Sequence, residues 1–179
     1  MSEKQWPNRK PVLKQGVVDF GIETVTLPNK VTTDLAVIRH PGASAIVAMD
    51  QDGSIAMVNQ YRHAIGGYLW EVPAGCRACG ESFLECAKRE LREEAGLTAA
   101  RWERLGSIVT VPSFCDERIE LFMARELGAG RGSLDADEVI RVERLPLNKL
   151  LAMIHAGEIV DSKTIAALHH ARDLIEAGG

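Results

Sequence analysis

A mixed α/β fold of the α+β kind, with a mixed sheet sandwiched between helices, is predicted by three features of this 179-residue sequence. Short runs rich in Val, Ile and Thr dominate the first two thirds. One uninterrupted helical segment sits in the middle, and two more helical segments close the chain. Strands feeding a central helix and two final helices are the pattern of a sheet covered on its faces. No internal repeat, low-complexity tract or linker divides the sequence, and its length suits one domain with a substantial core, so residues 1–179 are expected to fold as one unit.

Val17 to Leu27 and Thr32 to Arg39 read as two strands joined by a turn at Pro28-Asn29-Lys30, an N-terminal β-hairpin region. Ser44 to Met49 and Ile55 to Gln60 flank Asp50-Gln51-Asp52-Gly53, and the Asp-Gly pair predicts a second hairpin. Tyr68 to Val72 reads as a short strand that ends in a turn at Pro73-Ala74-Gly75. From Glu81 to Ala95 there is neither Gly nor Pro, and Leu84, Ala87, Leu91 and Ala95 recur at helical spacing, with Gly96 placed to stop the helix. Gly106 to Val111 and Arg118 to Arg125 read as strands, Gly128 to Asp137 as a Gly-rich acidic loop, and Ile140 to Leu145 as a further strand. Leu147 to Ala156 and Ser162 to Ala177 are the closing helices, the last with Ile165, Leu168, Ala171 and Ile175 on one stripe.

Composition narrows the function. With 46% hydrophobic and 26% charged residues and a net charge of −4, the chain is globular, and it lacks the broad basic field that nonspecific nucleic-acid binding requires. Nucleic acid is not an expected partner. Met1 to Lys14 is polar and carries Pro7 and Pro11, without the apolar stretch of a signal peptide. No window approaches the ~18 apolar residues of a membrane span. No membrane partner is expected, and the cytoplasm is the expected compartment. Cys76, Cys79, Cys86 and Cys115 are therefore expected to be reduced thiols; Cys76 and Cys79 form a C-x-x-C, but no second pair completes a zinc knuckle.

The central helix carries the chemistry. Placed at 100° intervals, Leu84, Ala87, Leu91 and Ala95 gather on one arc and Glu90, Glu93 and Glu94 on the next, so the first is expected to pack and the second to be presented. Glu90 and Glu94, at i and i+4, set two carboxylates about one turn apart, which repulsion disfavours unless a cation lies between them. Mg²⁺, a hard cation, prefers such oxygens and meets substrates through their phosphates. The same spacing also suits a solvated face, and Arg89 with Glu93 suits a surface ion pair. The flanking residues decide between these readings.

From Gly75 to Leu97 the sequence has Gly, five residues, Glu81, seven residues, then Arg89-Glu90-Leu91-Arg92-Glu93-Glu94-Ala95-Gly96-Leu97, so it resembles the Nudix signature at all nine specified positions over 23 residues. The resemblance implies the Nudix fold and a loop-helix-loop that holds a divalent metal, Mg²⁺ with Mn²⁺ as a substitute, against a diphosphate. It implies Glu90, Glu94 and the Ala74 carbonyl as metal ligands. Glu93 is implied as a further ligand or a base, Arg89 as the residue that orients the glutamates, and Glu81 as a support.

Gln60-Tyr61-Arg62, Trp70 through Gly75, and Pro112, sixteen residues beyond Gly96, are similar to the ADP-ribose pyrophosphatase branch. Val111-Pro112-Ser113 and Asp116-Glu117-Arg118 resemble its substrate loop, with Phe114-Cys115 where that branch often has Pro-Gly. On this resemblance Arg62, Glu71, Val111, Pro112, Ser113 and Glu117 are substrate contacts, Arg62 through the match of a guanidinium to phosphate oxygens. Glu138, in the acidic loop, is implied as base or metal ligand; the base is left open between Glu93, Glu138 and neither. The expected reaction is water attack on one phosphorus of a nucleoside diphosphate sugar, ADP-ribose giving AMP and ribose 5-phosphate. GDP-mannose or another sugar nucleotide is the alternative substrate, and a non-catalytic nucleotide-sugar sensor the alternative class, although sensors usually lose signature glutamates that this chain keeps. A prenyl diphosphate isomerase would need a catalytic Cys. The branch further implies a homodimer built on residues 1–40, with Trp6 or Phe20 stacking on adenine, and residues 41–179 as the catalytic core.

Overall fold

The computed structural model describes residues 8–132 and 139–178. Three helices and three sheets form the mixed fold that the sequence predicts. The central sheet has the order β7-β4-β9-β8: β4 (Ala43–Ala48) runs parallel to β9 (Arg118–Ala129) and antiparallel to β7 (Ala74–Cys76), while β8 (Leu97–Val109) runs antiparallel to β9. All six residues of β4 are buried, because the strand is covered on both faces. Ala43, Ala45 and Val47 join the cluster that takes in Leu121, Met123, Leu168 and Ala171, and Ile46 and Ala48 join Ala87, Leu91 and Phe122. The period-2 alternation of a strand delivers its residues to two separate cores, one under each helical layer. Of those layers, α1 (Phe83–Ala95) lies on the second core and α3 (Ser162–Glu176), with α2 (Leu147–His155), on the first.

A second sheet, β10-β5-β6, joins β5 (Ser54–Arg62), β6 (Gly67–Glu71) and β10 (Ile140–Pro146) in antiparallel register. The third, β1-β2-β3, comprises β1 (Arg9–Gln15), β2 (Val18–Thr26) and β3 (Thr32–Arg39). It meets the core where Ile38 N–H donates to the Phe114 carbonyl and Arg39 pairs with Asp116 at 3.0 Å.

Four expectations are corrected. The second hairpin does not form: the Asp-Gly turn is present, with Gly53 N–H donating to the Asp50 carbonyl, but β4 and β5 part into different sheets after the single bridge Met49–Ile55. Both strands are mostly apolar and each finds better burial against other partners, which overrides the local turn. β1, in the segment read only as a polar N-terminus, is an additional strand; it lies on an edge, where the missing N–H of Pro11 is tolerated. Of the turn read at Pro73-Ala74-Gly75, Ala74 and Gly75 belong to the short strand β7, which runs on to Cys76. β8 begins at Leu97, nine residues before Gly106, and accommodates Gly106 through a register shift between Arg104 and Gly106. The predicted glycine stop of α1 is found as expected: Gly96 has φ 63°, and its N–H reaches the Arg92 carbonyl. The helix starts at Phe83, two residues later than Glu81, behind a capping box in which Ser82 and Glu85 bond each other's backbone. No helix of the described residues is long and apolar enough to cross a membrane. Glu138, Asp135, Asp137 and Trp6 lie outside the described residues.

Candidate active site

The glutamates of α1 are not a presented face. Glu90 and Glu94 are 8% and 5% exposed, and Leu84, expected to pack, is the exposed residue instead. Glu90 and Glu94 are covered because β7 and the corner before it lie across them, while Glu93 stays partly exposed. There Ala74 N–H donates to Glu94 Oε2 at 2.9 Å, and the Glu90 carboxylate lies so close over Gly75 that a Cβ at that position would overlap it. The first glycine of the motif therefore leaves the space that the Glu90 carboxylate occupies, and a side chain there would displace it.

Arg89 organises the cluster. Its guanidinium donates to Glu81 Oε1 and Oε2 at 2.9 and 3.1 Å, to Glu90 at 2.6 Å, to Glu93 at 2.9 Å, and to the Cys76 carbonyl at 2.9 Å. Glu81 holds Arg89 in its charged form most strongly, and Arg89 in turn holds the Glu81 carboxyl below the usual carboxylate range. Helix, loop and strand are thus pinned by one planar donor, which a lysine could not imitate.

The corner before β7 brings a second group alongside. Arg62, at the end of β5, donates through Nε and Nη2 to the two oxygens of Glu71 at 2.8 and 2.7 Å, and its charge is felt at Glu94. Glu71 is 1% exposed; burial opposes its ionisation, but Arg62 and Lys163 outweigh that and lower its pKa. On the far side, Glu117 accepts from Thr110 Oγ1 at 2.6 Å and lies 3.5 Å from His40 Nε2, which is itself 3.5 Å from Cys76 Sγ. Val111, Pro112 and Ser113 lie exposed in the turn between β8 and β9, and it is the preceding residue, Thr110, that bonds Glu117. Burial, then Glu117 and Glu90, push the Cys76 thiol up; burial likewise raises Cys115, and takes Cys86 up to about 11. These thiols are poorly disposed to act as thiolates.

Lys163, Thr164 and His40 were missed from the sequence. The lysine contacts Glu71, and Thr164 Oγ1 accepts from Val72 N–H at 2.9 Å, both across 92 residues, so no local spacing announces them.

A family model described as NUDIX domain matches residues 38–168, the span that holds this whole constellation. The chain belongs to the Nudix family. As a Nudix pyrophosphohydrolase it is 34% identical over 164 residues to an ADP-ribose pyrophosphatase of Bacillus subtilis, covering 90% of this chain and 89% of that protein. It is 38% identical to a methanol dehydrogenase activator of Bacillus methanolicus, over 86% and 84% of the two chains. An ADP-ribose pyrophosphatase of Mycobacterium tuberculosis is 40% identical over 82% of this chain and 72% of its own. The crystal structure of an ADP compounds hydrolase superposes with a TM-score of 0.82 at 21% identity, covering 97% and 94%, and so shares the Nudix fold.

Nudix hydrolases use divalent metal ions, and the residues present suit one. Glu81, Glu90 and Glu93 all bond Arg89 and Glu94 bonds the neighbouring Ala74 N–H, an oxygen-rich set with more carboxylate than guanidinium charge, although among the described residues no three acidic, His or Cys side chains already converge as a ready-made cation cage. Gly75→Ala is expected to push the Glu90 carboxylate from its seat and abolish most turnover, while destabilising the fold by only about 1 kcal/mol, the low end of overpacking, because the displaced atoms end a flexible side chain. Thermal melts and turnover with divalent metal check this; a fully active variant would contradict the close approach.

Proposed function

We propose that this chain hydrolyses the diphosphate of a nucleoside diphosphate sugar, ADP-ribose first, releasing AMP and ribose 5-phosphate. The observation that carries the reading is the convergence of two buried helix glutamates, the Ala74 corner and the Arg62–Glu71 pair at one place. Glu90, Glu94 and the Ala74 carbonyl would hold Mg²⁺, or Mn²⁺ in its place. Bound there, the cation supplies charge neutralisation of the diphosphate and acidification of a water.

The chain's own residues do the rest. Arg62 binds a phosphate oxygen: side-on pairing with Glu71 occupies two of its five N–H donors, and three are left for an anion. Arg89 orients Glu90 and Glu93, bonding both carboxylates through Nη1. Glu93, 30% exposed and 2.9 Å from Arg89, would take a proton from the attacking water, with Glu138 as the other carboxylate for that role. Glu117, with Val111, Pro112 and Ser113, lines the sugar side. The N-terminal sheet, whose Leu13, Val18 and Leu35 are exposed, is the surface on which two copies pair in a homodimer, a reading checked by molar mass in solution.

The deciding experiment is a panel of ADP-ribose, GDP-mannose and other nucleotide sugars with Mg²⁺. ADP-ribose should have the highest kcat/KM. Faster cleavage of GDP-mannose would move the substrate assignment, and binding without cleavage would make the chain a sensor. For the acidic loop, Glu138→Gln should lower kcat strongly and leave KM nearly unchanged, since a base or late ligand acts mainly in the transition state. Asp135→Asn and Asp137→Asn are the controls; an equal small effect of all three would assign the base to Glu93.

A further inference from the structure

The first turn of α3 is fastened to the corner between β6 and β7 from two sides. Thr164, fully buried, receives the Val72 N–H at 2.9 Å. One residue earlier in each segment, Lys163 Nζ contacts Glu71 Oε2, the same oxygen that accepts from Arg62 Nη2. Lys163 is itself held by Asp161 Oδ2 at 3.0 Å, and that oxygen also caps the helix by accepting from Thr164 N–H at 2.9 Å. The result is a continuous relay: the α3 cap orients Lys163, Lys163 orients the Glu71 carboxylate, and Glu71 orients Arg62.

We infer that Lys163 is a positioning residue for substrate binding, which acts through Glu71 to hold the Arg62 guanidinium toward the phosphates. This rests on the reading of Arg62 as the phosphate contact. Stability alone gives little reason for the arrangement, because a buried ion pair is often matched or bettered by apolar residues of similar volume. Orientation gives a reason. The Arg62 side chain is 39% exposed and on a strand end, so by itself it is free to swing into solvent, whereas Glu71 and Lys163 are 2% and 12% exposed and fixed by packing. An exposed guanidinium joined side-on to a rigid carboxylate loses less entropy when an anion binds.

The test compares Lys163→Met, which keeps the aliphatic stem, with Lys163→Arg, Arg62→Met and the Lys163→Met/Arg62→Met double variant. Calorimetry gives the Kd for ADP-ribose without divalent metal, kinetics with Mg²⁺ give KM and kcat, and melting gives Tm. Lys163→Met should weaken binding and raise KM about tenfold, the scale of one misplaced charge-assisted hydrogen bond, with kcat within about twofold. Lys163→Arg should recover most of the affinity, and in the Arg62→Met background the Lys163 change should add nothing. If Lys163→Met does not fold, Lys163→Gln takes its place with the same expectations. A strong Arg62→Met effect with unchanged binding in Lys163→Met, or with fully additive effects, overturns the relay alone. Unchanged binding in Arg62→Met overturns the Arg62 reading and the relay with it.

Discussion

Glu94→Gln should lower kcat by about two orders of magnitude, the scale on which one preorganised electrostatic contact acts, while Tm stays the same or rises. The isosteric amide fits the 5%-exposed site, and its carbonyl oxygen can still accept from Ala74 N–H, so the corner keeps its shape. What disappears is one negative charge from a crowded set. That charge is one the proposed metal site needs, while the protein without metal loses only one of several like charges, set against its attraction to Arg62. Turnover titrated with Mg²⁺ and with Mn²⁺, alongside melting curves, checks both halves. Full activity at saturating Mg²⁺ would remove Glu94 from the metal site.

Arg89→Met should be worse for the fold. Four acceptors lose their shared donor at once, and removing one partner of a buried pair strands the others. Because the guanidinium is 27% exposed, the cost is discounted to on the order of 2 kcal/mol. The pH dependence has a definite sign. Glu81 has its pKa lowered in the fold by Arg89, so the stability this pairing contributes is present above the ordinary glutamate pKa and lost as pH falls through the lowered value. The variant lacks that contribution, so its Tm deficit should be largest near neutrality and should close in acid, where protonated glutamates need no guanidinium. Mg²⁺ should narrow the deficit at neutral pH, since a cation among the carboxylates replaces part of the lost charge. A deficit independent of both pH and Mg²⁺ would mean that Arg89 acts by packing alone. Arg89→Lys should recover only part of it, since a point charge cannot fork to Glu81, Glu90 and Glu93 together.

The sequence by itself determined the family, the mixed sheet between helices, the central helix with its Gly96 stop, and the set of carboxylates on it. These were legible because helical spacing, a left-handed glycine and a nine-position motif are local: each depends on residues within a few turns of one another. Tertiary structure decided the remainder. Whether the acidic arc faces water or protein depends on β7 crossing it, and the strand is too short for any periodicity to reveal. The Asp50–Gly53 turn was read correctly, but whether its flanking strands pair depends on which partners bury them best, and β9 and β10 come more than 60 residues later in the chain. Leu84 lies at a helical core spacing and is exposed because Phe83, four residues before Ala87, packs against that core in its place. The grip of Lys163 and Thr164 on the Glu71–Val72 corner spans 92 residues, and only folding brings those two segments to one point.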